Sequence, residues 1–266
     1  KDSTTQQTDQ DAGVCEPVTS PEFDSLSVLL TATDADGLEH FAGLGALPTY
    51  RHGPRWDVRP ASTVNDDEYF DLVIVLCATS AQLAASEEVA RDLAARQNLT
   101  VLLLPAALAA GFVVPGATVL TVPGSLADGL SILGAVVLAA TQHDGDVCCD
   151  LADIAAVLDE GARGELFMCE APTAKGAVAG LQWQMRHIAP RSGYGAVLTL
   201  QHGNIRQWYS LMTMVKDFVR EDAMVIGSHP LRDFEGVRAA AMFITVPSAR
   251  YTGENFRTAS NSARVR

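Results

Sequence analysis

Four short apolar runs constrain this chain most: residues 26–30, 70–78, 99–104 and 118–122. The second reads Phe70-Asp71-Leu72-Val73-Ile74-Val75-Leu76-Cys77-Ala78, apolar at every position but one. A strand that faces water on one side alternates apolar and polar residues. A run apolar throughout predicts a strand covered on both faces, as in a parallel sheet. Between the second and third runs, residues 86–94 have a helical pattern that opens on Ser86 with acids in its first turn. Strand, helix, strand in this rhythm predicts βαβ units and a doubly wound α/β first half.

The period changes after Pro123. Residues 125–143 contain no proline and are apolar around most of the helical circumference, which predicts one long buried helix. Beyond it, the pattern predicts a short helix at 150–158, strands at 166–170, 196–200, 224–228 and 237–246, and helices at 176–185 and 205–219. The expected architecture is therefore a doubly wound parallel-sheet domain at 25–124, a central helix at 125–143 and a four-stranded α+β domain at 144–247. A sheet running unbroken through both halves would contradict that division. Residues 1–24 hold one Lys and six acids among polar residues, which predicts a mobile acidic tail. Residues 248–266 carry four Arg and one Glu and read as a basic tail.

Composition narrows the classes of function. The 266 residues have a net charge of −13, which repels a phosphate backbone and disfavours nucleic acid as a partner. The apolar stretch 99–122 is interrupted by Pro105, Gly111, Pro115 and Gly116, so no membrane insertion is expected. Five cysteines, two of them adjacent and none in a C-x-x-C pair, read as reduced thiols of a cytoplasmic protein. Cys148 and Cys149 with His143, Asp144 and Asp146 match no zinc spacing, and no metal is expected. No G-x-S-x-G motif is present.

Five segments in order give the chain a family resemblance. Residues 71–75 (Asp-Leu-Val-Ile-Val), 118–123 (Thr-Val-Leu-Thr-Val-Pro), 145–154 (Gly-Asp-Val-Cys-Cys-Asp-Leu-Ala-Asp-Ile), 193–198 (Gly-Tyr-Gly-Ala-Val-Leu) and 223–228 (Ala-Met-Val-Ile-Gly-Ser) resemble successive pieces of the FtsZ/tubulin superfamily. The resemblance covers about residues 26–247. It implies that the loops after the first and second apolar runs correspond to the family's glycine-rich GTP loops.

Here those loops contain Thr31, Thr33, Asp34 and Asp36, then Thr79, Ser80 and Gln82, and 78–97 contains no glycine. Glycines let a backbone approach phosphates and aim N–H groups at them, and two carboxylates would repel a triphosphate. The resemblance with these departures implies a degenerate site, no cofactor and no GTPase activity. Asp150 and Asp153 match the family's acids that act on a neighbour's GTP. They equally fit a helix cap, and both readings stand.

The family's stacking geometry makes Asp144, Asp146, Cys148, Asp150 and Asp153 interaction candidates. It also predicts partners of the same kind: the chain itself, or an FtsZ-type protein that it joins or caps. The chain alone is expected to form no GTP-driven filaments. Trp183, Trp208 and Tyr209 lie in helical segments and read as packing residues; the alternative for Trp208 and Tyr209 is an exposed anchor for a partner. The alternative function is a small-molecule or nucleotide binder using the crevice at the carboxyl ends of the strands, lined by 31–37, 78–84 and 105–111. A weak residual GTPase is the third reading.

Overall fold

The computed structural model describes residues 26–34, 38, 55–97, 99–109, 112–138, 145–147, 149–158, 162–230 and 236–246. The four apolar runs form β1 (Ser27–Thr31), β3 (Leu72–Leu76), β4 (Thr100–Pro105) and β5 (Thr118–Val122), all parallel neighbours. A further strand, β2 (Arg55–Val58), pairs parallel to β1 at the sheet's edge. Its sequence, Arg-Trp-Asp-Val, is too polar and too short to announce a strand, and its residues are half-buried or exposed. The first half thus has the order 2-1-3-4-5.

Both faces of these strands are buried, and the side chains divide strictly by parity. Leu72, Ile74 and Leu76 face one core while Val73, Val75 and Cys77 face the other. Helix α1 (Leu83–Ala94) covers the second face through Ala90 and Leu93. The first face is covered by α2 (Leu126–Leu133), whose Ser125 and Asp128 form a reciprocal capping box. This helix widens into a π turn over Gly134–Leu138. The expected central helix is observed as far as 138, and residues 139–144 lie outside the described residues.

The second half adds β6 (Gly145–Val147), α3 (Leu151–Val157), β7 (Arg163–Ala171), α4 (Ala174–Gln184), β8 (Gly193–Gln201), α5 (Ile205–Lys216), β9 (Val219–Pro230) and β10 (Val237–Val246). The last expected helix is shorter than 205–219, because the chain enters β9 at Val219. The four strands that the sequence predicts stand in the order β7-β10-β8-β9, and β6 adds an unpredicted fifth beside β9. β10 is antiparallel to both neighbours and β8 is parallel to β9. Helices α4 and α5 cover one face, and α3 with the π turn covers the other.

One expectation is corrected. The sheet does not stop between the halves: β7 pairs parallel to β5 through Val119–Arg163, Leu120–Gly164 and Thr121–Glu165. Gly164 makes this junction fit, because a Cβ there would lie 3.0 Å from Leu120 Cδ2 on β5 and 2.8 Å from the Phe243 carbonyl oxygen on β10. The result is one ten-stranded sheet, β2-β1-β3-β4-β5-β7-β10-β8-β9-β6. The core beneath α2 is shared, containing Leu30, Ile74 and Leu120 together with Val197, Met242 and Ile244. What survives of the division is strand direction, parallel in the first half and mixed in the second.

Candidate functional site

In an open α/β sheet, ligands bind outside the carboxyl ends of strands where the strand order reverses. The order 2-1-3-4-5 places that point between β1 and β3. Two loops line it, and both were singled out in the sequence. After β1, Thr31 is buried and its hydroxyl donates to the Arg59 carbonyl at 2.8 Å. Thr33 is half-buried and Asp34 is exposed, while Asp36 lies outside the described residues.

After β3, Cys77 is buried, and burial pushes its thiol pKa up, with only partial relief from Ser86 and the Thr79 carbonyl. Thr79 is extended, and Ser80–Gln82 form one 3-10 turn leading directly into α1. The Gln82 side-chain oxygen folds back onto the loop. It accepts from the Ala78 backbone N–H at 3.3 Å and from the Thr79 hydroxyl at 3.3 Å. Gln82 N–H donates to the Thr79 carbonyl at 3.1 Å. A donor that an incoming anion would use is thus met by the loop's own amide. Among the described residues no glycine with positive φ lies in either loop.

Asp150 and Asp153 come together at the start of α3. The Asp153 N–H donates to Asp150 Oδ1 at 2.8 Å, and the Asp150 N–H donates to Asp153 Oδ2 at 3.2 Å. This reciprocal cap satisfies two helix-end donors and leaves both side chains exposed. Upstream, Asp146 falls within β6, which pairs antiparallel to the end of β9. Asp144 and Cys148 lie outside the described residues. β6 was not foreseen, since three residues rich in glycine and acid carry no strand pattern. Among the described residues, no group of three His, Cys, Asp or Glu is placed to hold a metal. Among the described residues, no helix is long and apolar enough to cross a membrane.

Trp208 and Tyr209 separate. Trp208 is 7% exposed and its Nε1–H donates to the Ser228 carbonyl at 3.0 Å, so it is a packing residue rather than an exposed anchor. Tyr209 is 61% exposed and meets the Trp208 ring edge-on at 5.4 Å. Trp183, which the helical pattern would bury, is 65% exposed with the Arg186 guanidinium 3.7 Å from its ring centroid.

These features define a doubly wound α/β protein whose strand order reverses between β1 and β3. No family model matches the chain, and no curated protein matches it. Solved structures do. An FtsZ mutant from M. jannaschii matches with TM-score 0.59 and 12% identity, over 84% of this chain and 92% of that one. An empty FtsZ dimer from the same organism gives 0.58 and 12%, over 84% and 89%. A GTPγS-form TubZ protofilament from Bacillus thuringiensis serovar israelensis gives 0.50 and 10%, over 69% and 63%. The chain has an FtsZ/tubulin-like fold.

Proposed function

We propose that this chain is a structural or regulatory FtsZ-like protein without GTPase activity, acting by self-association or by docking on a cytoskeletal partner of the same fold. The observation that carries this reading is the closed loop after β3. Gln82 occupies donors that a phosphate would need, and no glycine between 78 and 97 lets the backbone approach one. The exposed Asp34 adds a carboxylate to the facing loop. Assembly as the mode of action is supported by the neighbours' own states, an FtsZ dimer and a TubZ protofilament. The proposed contact is the segment 144–153, presented to the next subunit by β6 and α3.

The test combines GTP calorimetry with pelleting, alone and with a polymerising FtsZ. The expected outcome is no micromolar GTP affinity, no GTP-dependent pellet of the chain alone, and co-pelleting with FtsZ. Asp150→Asn/Asp153→Asn keeps hydrogen-bonding caps while removing charge, and is expected to weaken co-pelleting without unfolding the protein. GTP-dependent polymers of the isolated chain, or phosphate release, would overturn the proposal. A second reading, a small-ligand binder, is favoured by the switch point between β1 and β3. Its mark is a bound chromophore, such as a nucleotide that raises the 260/280 nm ratio of purified protein.

A further inference from the structure

Charge is distributed unevenly along this chain. Residues 171–216 contain no Asp or Glu and carry Lys175, Arg186, Arg191, Arg206 and Lys216. That span is +5 in a chain of net −13, leaving the rest at −18. It comprises α4, β8 and α5, and the two helices pack side by side on the same face of the sheet. All five cations are exposed, and none is in an ion pair with a described residue. The acids nearest to this face are largely engaged: Glu165 with His187, Glu170 with Arg238, and Asp222 with Arg220. Asp217 is the acid that follows α5 directly. Trp183 and Tyr209 add exposed aromatic surface to the same two helices.

We infer that this basic, aromatic face of α4 and α5 is a docking surface for an acidic extended peptide, and that its occupant is the chain's own segment 2–17. The first argument is charge complementarity. Residues 2–17 contain Asp2, Asp9, Asp11 and Glu16 and no cation. Pro17, beside Glu16, provides rigid apolar surface for an aromatic ring.

The second argument is reach. β7 and β8 run parallel to β1, and α4 and α5 return the chain to the end of the sheet where β1 begins. Arg186, Arg191 and Lys216 lie at that end, close to the starts of β8 and β9. β1 and β8 are six strand steps apart, or roughly 30 Å at about 4.8 Å per step. A random coil of 15 to 24 residues, the separation of Asp11 and Asp2 from Leu26, has a root-mean-square span of roughly 20–28 Å. A tether whose span matches the gap gives an effective concentration of millimolar order, enough for weak electrostatic contacts to hold. An acidic peptide of a partner would then have to displace this segment.

Carbodiimide cross-linking of the full chain tests the inference, because it joins carboxylates to lysines and the chain has only Lys1, Lys175 and Lys216. The expected products join carboxylates of 2–17 to Lys216 within one molecule. Raising the ionic strength from about 0.02 M to about 0.5 M shortens the Debye length from roughly 20 Å to roughly 4 Å, and should lower their yield about fivefold or more. Arg186→Glu/Arg191→Glu/Arg206→Glu keeps Lys216, changes only exposed positions, and should lower the yield to a similar extent. An unchanged yield in that variant would reduce the contact to random collision and overturn the proposal. Products joining two molecules would overturn it in favour of a copy-to-copy interface. Arginine-dependent binding of the full chain to phosphatidylserine vesicles, without tail cross-links, would overturn it in favour of a lipid surface.

Discussion

Trp208 buries its indole and donates Nε1–H to Ser228, whereas Tyr209, next in the chain, stands in solvent. Trp208→Ala is expected to cost about 3–5 kcal/mol through a cavity and an orphaned carbonyl, and Tyr209→Ala less than about 0.5 kcal/mol. Urea denaturation midpoints of the two variants check this. Glu68 gives a pH-dependent case. It accepts from the Asn65 backbone N–H at 2.9 Å and from Arg59 at 2.7 Å. These bonds, that to Asn65 first, hold its carboxyl below the ordinary range. A carboxyl depressed in the folded state adds stability above its unfolded pKa and loses it as pH falls through the folded value. Glu68→Gln should therefore melt below the parent at neutral pH, and the gap should close below about pH 4. A gap that persists in acid would show that the difference is not electrostatic.

At the level of elements, the second half depends on glycine where strands meet bulky neighbours. A Cβ on Gly193 would lie 2.2 Å from Phe243 Cζ, and Phe243 is fully buried. Gly193→Ala is expected to destabilise by about 1–3 kcal/mol, read as a lower urea midpoint with unchanged slope. The elements legible in the sequence were those whose burial leaves a pattern. The four apolar runs became β1, β3, β4 and β5, and the proline-free apolar stretch from 125 onward became α2 and its π turn. β2 and β6 were not legible, because edge strands of three or four residues owe their form to pairing rather than to composition. The two site loops were located by sequence, but the Gln82 contact was not. A side chain folding back four residues onto Ala78 N–H depends on the 3-10 turn between them, which no residue type in 78–82 dictates. Trp183 was misplaced for a related reason. The stripe of α4 that packs inward is Ala174, Ala177 and Leu181, and the small residues there bring the helix close while the large one points out.

For the whole molecule, the β5–β7 pairing changes how the halves must unfold. A chain of two separate domains would bury two cores, each able to open alone. Here Leu120 of β5 lies in one core with Met242 and Ile244 of β10, under a helix that also touches β4, β5, β7 and β10. Opening the second half would expose the apolar side of α2 and strip the edge of β5, so local opening costs nearly what global unfolding costs. Central amides of β3, such as Val75, and of β8, such as Leu198, are then expected to exchange hydrogen with the same free energy. Gly193→Ala should lower that free energy equally at both sites, although Gly193 makes its tight contact only in the second half. Native-state hydrogen exchange followed residue by residue provides the measurement. Protection in β3 that is unaffected by Gly193→Ala would mean that the two halves open independently. The continuous sheet would then be a geometric seam without thermodynamic coupling across it.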